Sequence, residues 1–263
     1  MTITAHPAKT HSQTEPVMKK VIVLGATSGI ALEVERQLAP LRCELLLIAR
    51  SPERLAVLQT DLLARGAKQV LTYAADLAAV GCHGRLFDFV RRSFADYDTV
   101  LLSYGVMHDQ QESEASVDVL LEEINVNYVS AAAILTLFAS DLERRRCGCI
   151  AAITSVAGDR GRRSNYAYGS AKGALSLFLQ GLRSRLHPAG VKVITVKPGP
   201  VQTPMTDHLA NTSRFAEPEL VGRHIARVLQ RRSPEVLYTP RVWRYIMTTV
   251  THIPETIFKR LSF

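Results

Sequence analysis

The feature that most restricts the fold is a rhythm. From residue 21 onward, short and almost uniformly apolar runs alternate with longer amphipathic stretches. That alternation is the pattern of βαβ units, in which helices cover both faces of a parallel sheet. Strands are expected over 21–24, 44–49, 70–74, 99–103, 150–154, 191–196 and 236–238. Helices are expected over 30–41, over 52–65, where Ser51-Pro52-Glu53 supplies a cap and a proline at the first helical position, and over 117–145 and 165–187. A length of 263 residues suits one α/β domain better than two.

Composition removes several alternatives. Apolar residues make up 47% and charged residues 21%, enough for one sizeable core. The cysteines, Cys43, Cys82, Cys147 and Cys149, are too few and too irregular for a disulfide framework, and Cys147 and Cys149 have no second Cys/His pair at zinc spacing, so no metal is expected. The net charge of +8 raises nucleic acid as a partner, but no helix-turn-helix, RNA-binding or zinc module accompanies it. An anionic cofactor, an anionic substrate or an acidic membrane surface accounts for the excess. Residues 1–18, rich in Thr, His, Gln and Pro, lack the apolar segment of a signal peptide and read as a tail. The domain is expected over 19–239, with an amphipathic extension over 240–263.

The first strand runs into Gly25-Ala26-Thr27-Ser28-Gly29-Ile30. Glycines there let the backbone turn tightly beneath a pyrophosphate, and the following helix offers its free N–H groups to the anion. The fold expected is therefore a single-domain, doubly wound (Rossmann) parallel sheet of about seven strands flanked by helices. At the end of the second strand stands Arg50, with no acid beside it. An acid at that place bonds a ribose 2′-hydroxyl, whereas an arginine accepts a 2′-phosphate, so NADP(H) is the expected cofactor.

Beyond the fifth strand lies Ser155, followed on a helix by Tyr168 and Lys172 at i and i+4, which share a face. An ammonium beside a phenol favours the phenolate and would make the tyrosine a usable acid and base. The Gly25…Gly29 loop, Asp76-Leu77, Asn127, Ser155, Tyr168…Lys172 and Pro198-Gly199-Pro200-Val201-Gln202-Thr203 occur in one order along the chain. On these motifs the sequence resembles the short-chain dehydrogenase/reductase superfamily from about residue 19 to 238. The resemblance implies that Ser155 positions the substrate carbonyl and that Tyr168 is the acid/base. It also implies that Lys172 holds the nicotinamide ribose and that Asn127 anchors a relay water. Gly25, Thr27, Ser28, Gly29, Ile30, Arg50, Asp76, Leu77, Gly105, Pro198, Gly199, Val201 and Thr203 would then line the cofactor. Three positions depart from the family pattern: Leu24, Ala31 at the third glycine, and Leu102-Ser103-Tyr104 before Gly105.

Two further segments bear on the substrate. Gly158-Asp159-Arg160-Gly161-Arg162-Arg163-Ser164-Asn165 places three arginines beside the reacting centre, and they suit a phosphate or a solvated loop with salt bridges. The C-terminal stretch interleaves aromatic, apolar and basic residues. It is compatible with a membrane interface on the cytoplasmic side, and equally with packing on the domain or on a second subunit. Both segments resemble the branch that reduces a 2-keto-erythro-pentose carried on decaprenyl phosphate. Reduction of 3-ketoacyl thioesters or hydrophobic ketones is the alternative activity, and a non-catalytic NADP-binding sensor the alternative class. The resemblance also implies a cytoplasmic homo-oligomer.

Overall fold

Strands β1 (Lys20–Leu24), β2 (Glu44–Ala49), β3 (Gln69–Ala74), β4 (Thr99–Leu102), β5 (Cys149–Ile153), β6 (Lys192–Pro198) and β7 (Val236–Thr239) form one parallel sheet in a computed structural model describing residues 18–207, 213 and 215–261. Their order is β3-β2-β1-β4-β5-β6-β7. The order reverses between β1 and β4, which opens a crevice at the carboxyl ends of those strands, the place where doubly wound sheets bind ligands.

Alternation along each strand feeds two cores. From β1 and β2, Val21, Val23, Leu45 and Leu47 point to one face, where α1 (Gly29–Leu38), α2 (Pro52–Ala64) and α8 (Pro218–Arg231) contribute Val34, Leu58 and Ile225. Ile22, Leu24, Leu46 and Ile48 point to the other, against α3 (His83–Ser93), α6 (Ala131–Arg145) and α7 (Tyr166–Leu186), which contribute Leu86, Phe138 and Leu179. Helix starts follow the capping residues. Ser28 Oγ accepts from Ala31 N at 3.3 Å, and Ser51 Oγ accepts from Arg54 N at 3.1 Å with Pro52 opening α2.

Strand ends fall within about two residues of the sequence expectation, and β2 matches it. Two crossovers that the strand pattern leaves open are helical, α3 and α8. The helix expected over 117–145 is preceded by α4 (Gln110–Ala115) and is itself broken. α5 (Val117–Ile124) passes through a π-helical turn, Asn125–Ser130, before α6. Of the expected tail, residues 1–17 lie outside the described residues, while Met18 is buried in the core and its carbonyl faces the Cys43 thiol. The C-terminal segment folds onto the domain as α9 (Val242–His252) and α10 (Glu255–Phe258), burying Met247 and Phe258.

Candidate active site

Ser155, Tyr168, Lys172 and Asn127 converge at the carboxyl ends of β4 and β5. Ser155 follows β5 and caps a short 3-10 turn, Val156–Asp159, accepting from Ala157 N at 3.1 Å. That turn lies against α7 so closely that a Cβ on Gly158 would stand 2.6 Å from the Gly173 nitrogen. Only glycine tolerates this approach, and it brings the Ser155 hydroxyl into hydrogen bonding with the Tyr168 phenol. Lys172, one turn along α7, is 3% exposed, with its Nζ donating to the Ile153 carbonyl at 3.3 Å and lying 5.8 Å from the Tyr168 ring centre.

Asn127 sits in the π turn, fully buried. Its Oδ1 accepts from Val106 N at 3.1 Å, and its Nδ2 donates to the carbonyls of Val106 at 2.8 Å and Glu123 at 3.0 Å. A Cβ on Gly105 would meet Asn127 Oδ1 at 2.5 Å and Lys172 Nζ at 3.1 Å, so the three groups bound one small space. π turns recur at functional sites because the slipped register changes which backbone groups are free.

The electrostatics differ from the sequence expectation. Burial pushes the Tyr168 phenol up to about 12, with the Ser155 hydrogen bond acting against it and buried Glu123 adding to it. Lys172 is pulled down to about 8 by burial. The lysine therefore does not hold the phenol below its ordinary value in this cleft: desolvation of the phenolate outweighs the nearby ammonium, itself disfavoured by burial. The Tyr168 phenol is therefore protonated at neutral pH. Glu123 was invisible as a site residue, since an acid on an amphipathic helix reads as a solvated face. Its carboxylate accepts from His108 N at 3.2 Å and from Ser113 Oγ at 3.3 Å, and burial raises its pKa.

The residues expected to hold the cofactor stand at or just beyond the carboxyl ends of β1, β2, β3, β4 and β6. Gly25 has φ +87°, a conformation that L side chains rarely adopt, and a Cβ there would stand 2.6 Å from Tyr104 Cβ. Ser28 Oγ shares a hydrogen bond with Ser103 Oγ at 2.8 Å, and Tyr104 Oη pairs with Ser130 Oγ at 2.7 Å. The departures at 103 and 104 thus tie the glycine loop and β4 into the scaffold. Gly29 faces Thr203, whose methyl would lie 2.9 Å from an added Cβ, joining the loop to the 198–203 segment. Ile30 packs on the core. Thr203 opens a short 3-10 turn, Pro204–Thr206, with reciprocal bonds to Thr206. Val201 is buried, Pro198 ends β6, and Gly199 N donates to Thr239 O at 3.0 Å beneath the Trp243 indole. Asp76 Oδ1 accepts from Ala78 N at 3.1 Å, and the Leu77 carbonyl meets His83 Nε2 at 2.8 Å. Arg50 is exposed at the end of β2. Arg54, whose place on an exposed helix gives no sign of it in the sequence, reaches from α2 to donate to the Thr27 carbonyl at 3.0 Å.

The three loop arginines separate. Arg160 is a structural clamp and not a free anion ligand: its Nη1 donates to the carbonyls of Val250 at 3.0 Å and Ile253 at 2.5 Å. Its Nη2 pairs with Glu255 at 2.8 Å, and its guanidinium lies 3.9 Å from the Phe258 ring centre. Neighbouring Asp159 is likewise engaged, with Lys197 and with the Tyr238 hydroxyl at 2.8 Å. Arg162 is half-buried, its Nε without a partner and its pKa lowered by burial, and Arg163 is exposed. Arg160→Ala is expected to cost about 2 kcal/mol, from lost charge-assisted hydrogen bonds. It should also speed amide exchange across 242–258, and unchanged exchange there would refute the clamp.

The short chain dehydrogenase family profile matches residues 19–214. An uncharacterized oxidoreductase of Mycobacterium tuberculosis is 30% identical over 241 residues, covering 92% of this chain and 96% of its own. Another, from Streptomyces coelicolor, is 32% identical over 244 residues, with coverage of 92% and 96%. A short-chain dehydrogenase from Sphingobium yanoikuyae, solved in complex with NADPH, superposes with a TM-score of 0.78 at 20% identity, covering 90% of this chain and 97% of that one. The chain belongs to the short-chain dehydrogenase family of oxidoreductases.

Proposed function

We propose that the protein reduces a ketone, or oxidises the corresponding secondary alcohol, with NADP(H) bound in the crevice and Tyr168 transferring the proton. The observation that carries this reading is the convergence of Ser155, Tyr168, Lys172 and Asn127 on the space beside Gly105. The crevice fits the cofactor. The cradle under Gly25 and Gly29 would be filled by side chains, α1 opens at its rim, and Arg50 and Arg54 stand where a 2′-phosphate would lie. Thr27, Ser28, Ile30, Asp76, Leu77, Pro198, Gly199, Val201 and Thr203 complete its walls. The Sphingobium relative bound to NADPH, and an actinorhodin polyketide ketoreductase also solved with NADPH, support the choice of nucleotide.

When bound, the nicotinamide exchanges a hydride with the substrate carbon. The protein's own work is at the oxygen. The Ser155 hydroxyl hydrogen-bonds the carbonyl oxygen, and the Tyr168 phenol, kept protonated by burial, donates its proton there as charge develops. Lys172, with a pKa of about 8, sits one turn away to return a proton to the phenol, and Asn127 fixes Val106, next to Gly105, beside it.

A thermal shift with NADPH and NADH tests the nucleotide. Arg50→Ala with Arg54→Ala should weaken NADPH about 10–100-fold and leave NADH nearly unchanged, the size of one or two charge-assisted phosphate contacts. Equal loss for both nucleotides would remove the 2′-phosphate assignment. We further propose a substrate bearing a phosphate, such as a keto sugar on a polyprenyl phosphate, facing the unpaired Arg162 with Arg163 beside it. A panel of phosphorylated and simple ketones checks this. Turnover of 3-ketoacyl thioesters or simple ketones alone would replace it. We place the enzyme in the cytoplasm as a homo-oligomer, in peripheral contact with the membrane through exposed Val242, Tyr245, Ile246 and Ile257.

A further inference from the structure

At the β7 edge of the sheet, away from the Ser155–Tyr168 centre, a cavity of about 720 Å³ lies between α8, β7 and α9. Arg227 and Arg231 line it from one side, Arg241 and Arg244 from the other, with His224 and Ser233 between them. Among the described residues, no aspartate or glutamate lines it. None of these four guanidinium groups forms an ion pair among the described residues, whereas Arg36, Arg65, Arg144, Arg145, Arg160 and Arg185 are each paired with a carboxylate.

The nearby acids are engaged elsewhere. Glu235 turns to Arg183 at 3.6 Å. Asp159, behind Tyr238, is closed by Lys197 and the Tyr238 hydroxyl. Arg241 and Arg244 also crowd the first turn of α9, which carries no acid, so they face the positive end of the helix dipole. The uncompensated field is felt locally: burial and the charges of Arg227, Arg241 and Arg223 hold His224 below its ordinary value. Concentrating like charges around one concavity costs stability unless an anion neutralises them.

We propose that this cavity binds a ligand bearing two or more phosphate charges, gripped from α8 by Arg227 and Arg231 and from α9 by Arg241 and Arg244. The ligand's chemistry is that of a polyphosphate ester, whether free in solution or presented as an anionic lipid headgroup.

The test uses the full chain saturated with NADPH, so that the cofactor's own phosphate site is filled. Inorganic pyrophosphate is titrated by calorimetry at low salt, and co-sedimentation is measured with phosphatidylcholine vesicles with and without cardiolipin, whose headgroup carries two phosphates. Two variants, Arg227→Gln with Arg231→Gln and Arg241→Gln with Arg244→Gln, remove one wall at a time. All four residues are exposed, and an unaltered NADPH thermal shift shows that each variant is folded. Pyrophosphate binding that each variant weakens about 100-fold establishes the site for a free phosphate ester. Binding only to the anionic vesicles, lost in the same variants, establishes the lipid headgroup as its source. Absence of both, binding that survives either pair of substitutions, or pyrophosphate-insensitive dimerisation through this edge overturns the proposal.

Discussion

Tyr168→Phe is expected to lower turnover by about 10²–10⁴-fold, the usual worth of a positioned general acid. Its melting temperature and NADPH affinity should stay within experimental error of the parent. The substitution removes one hydroxyl and leaves the ring packed in the cleft, so a loss confined to kcat isolates the proton transfer. Because the phenol is held at about 12, it is protonated throughout the neutral range and cannot itself set the alkaline limit of the reductive reaction. That limit falls to Lys172: below about 8 its ammonium can resupply the phenol, and above it the supply fails. The reductive rate should therefore decline through about pH 8. A Tyr168→Phe enzyme retaining more than a tenth of the parental rate would remove the phenol from the chemistry.

Glu35→Met is expected to stabilise the fold by about 1–3 kcal/mol at pH 4, the cost of a buried polar group with no hydrogen bond, and by more at pH 8. Glu35 is fully buried on α1, and both carboxylate oxygens lack partners. Burial drives its pKa well above the ordinary carboxylate value, with the charge of Arg36 opposing only weakly. The sign follows from linkage. The folded chain keeps a proton that the unfolded chain releases above about pH 4.3, so stability falls by about 1.4 kcal/mol per pH unit until the folded carboxyl titrates. Methionine carries neither penalty, so its advantage should already be present at pH 4 and grow toward pH 8. Thermal melts at the two pH values read this directly. A gain independent of pH would show that the carboxyl is not held protonated in the fold.

These two residues also mark the limits of the sequence. The sheet was legible because its strands are buried on both faces, so their apolar runs, such as Leu45-Leu46-Leu47-Ile48, are interrupted by little else. The skeleton of the candidate site is legible because Tyr168 and Lys172 share one helix and the glycine loop is contiguous. Glu35 and Glu123 were not, because an acid on an amphipathic helix looks solvated until the neighbouring elements close over it. The π turn at Asn125–Ser130 escaped because a one-residue slip in hydrogen bonding leaves the apolar periodicity almost intact. Of the two roles that the three arginines suited, Arg160 takes the structural one. Its acceptors are the Glu255 carboxylate and backbone carbonyls, among them that of Ile253, 93 residues away, and carbonyls carry no sequence signature. The basic cavity was hidden likewise, its arginines being divided between two helices that meet only across β7.

The position of the Arg160 clamp has a consequence for synthesis. The loop entering the catalytic helix is held by carbonyls of the last helices, and the 198–203 segment is roofed by Trp243. Domains fold progressively as the chain emerges from the ribosome, but here the substrate-side wall is fastened by residues made 90 to 93 positions later. A nascent chain arrested before α9 can assemble its sheet and its nucleotide crevice while the catalytic loop is still untethered. Oxidoreductase activity should thus appear only once α9 and α10 have emerged and docked, sparing the cell a half-built enzyme that consumes reducing equivalents.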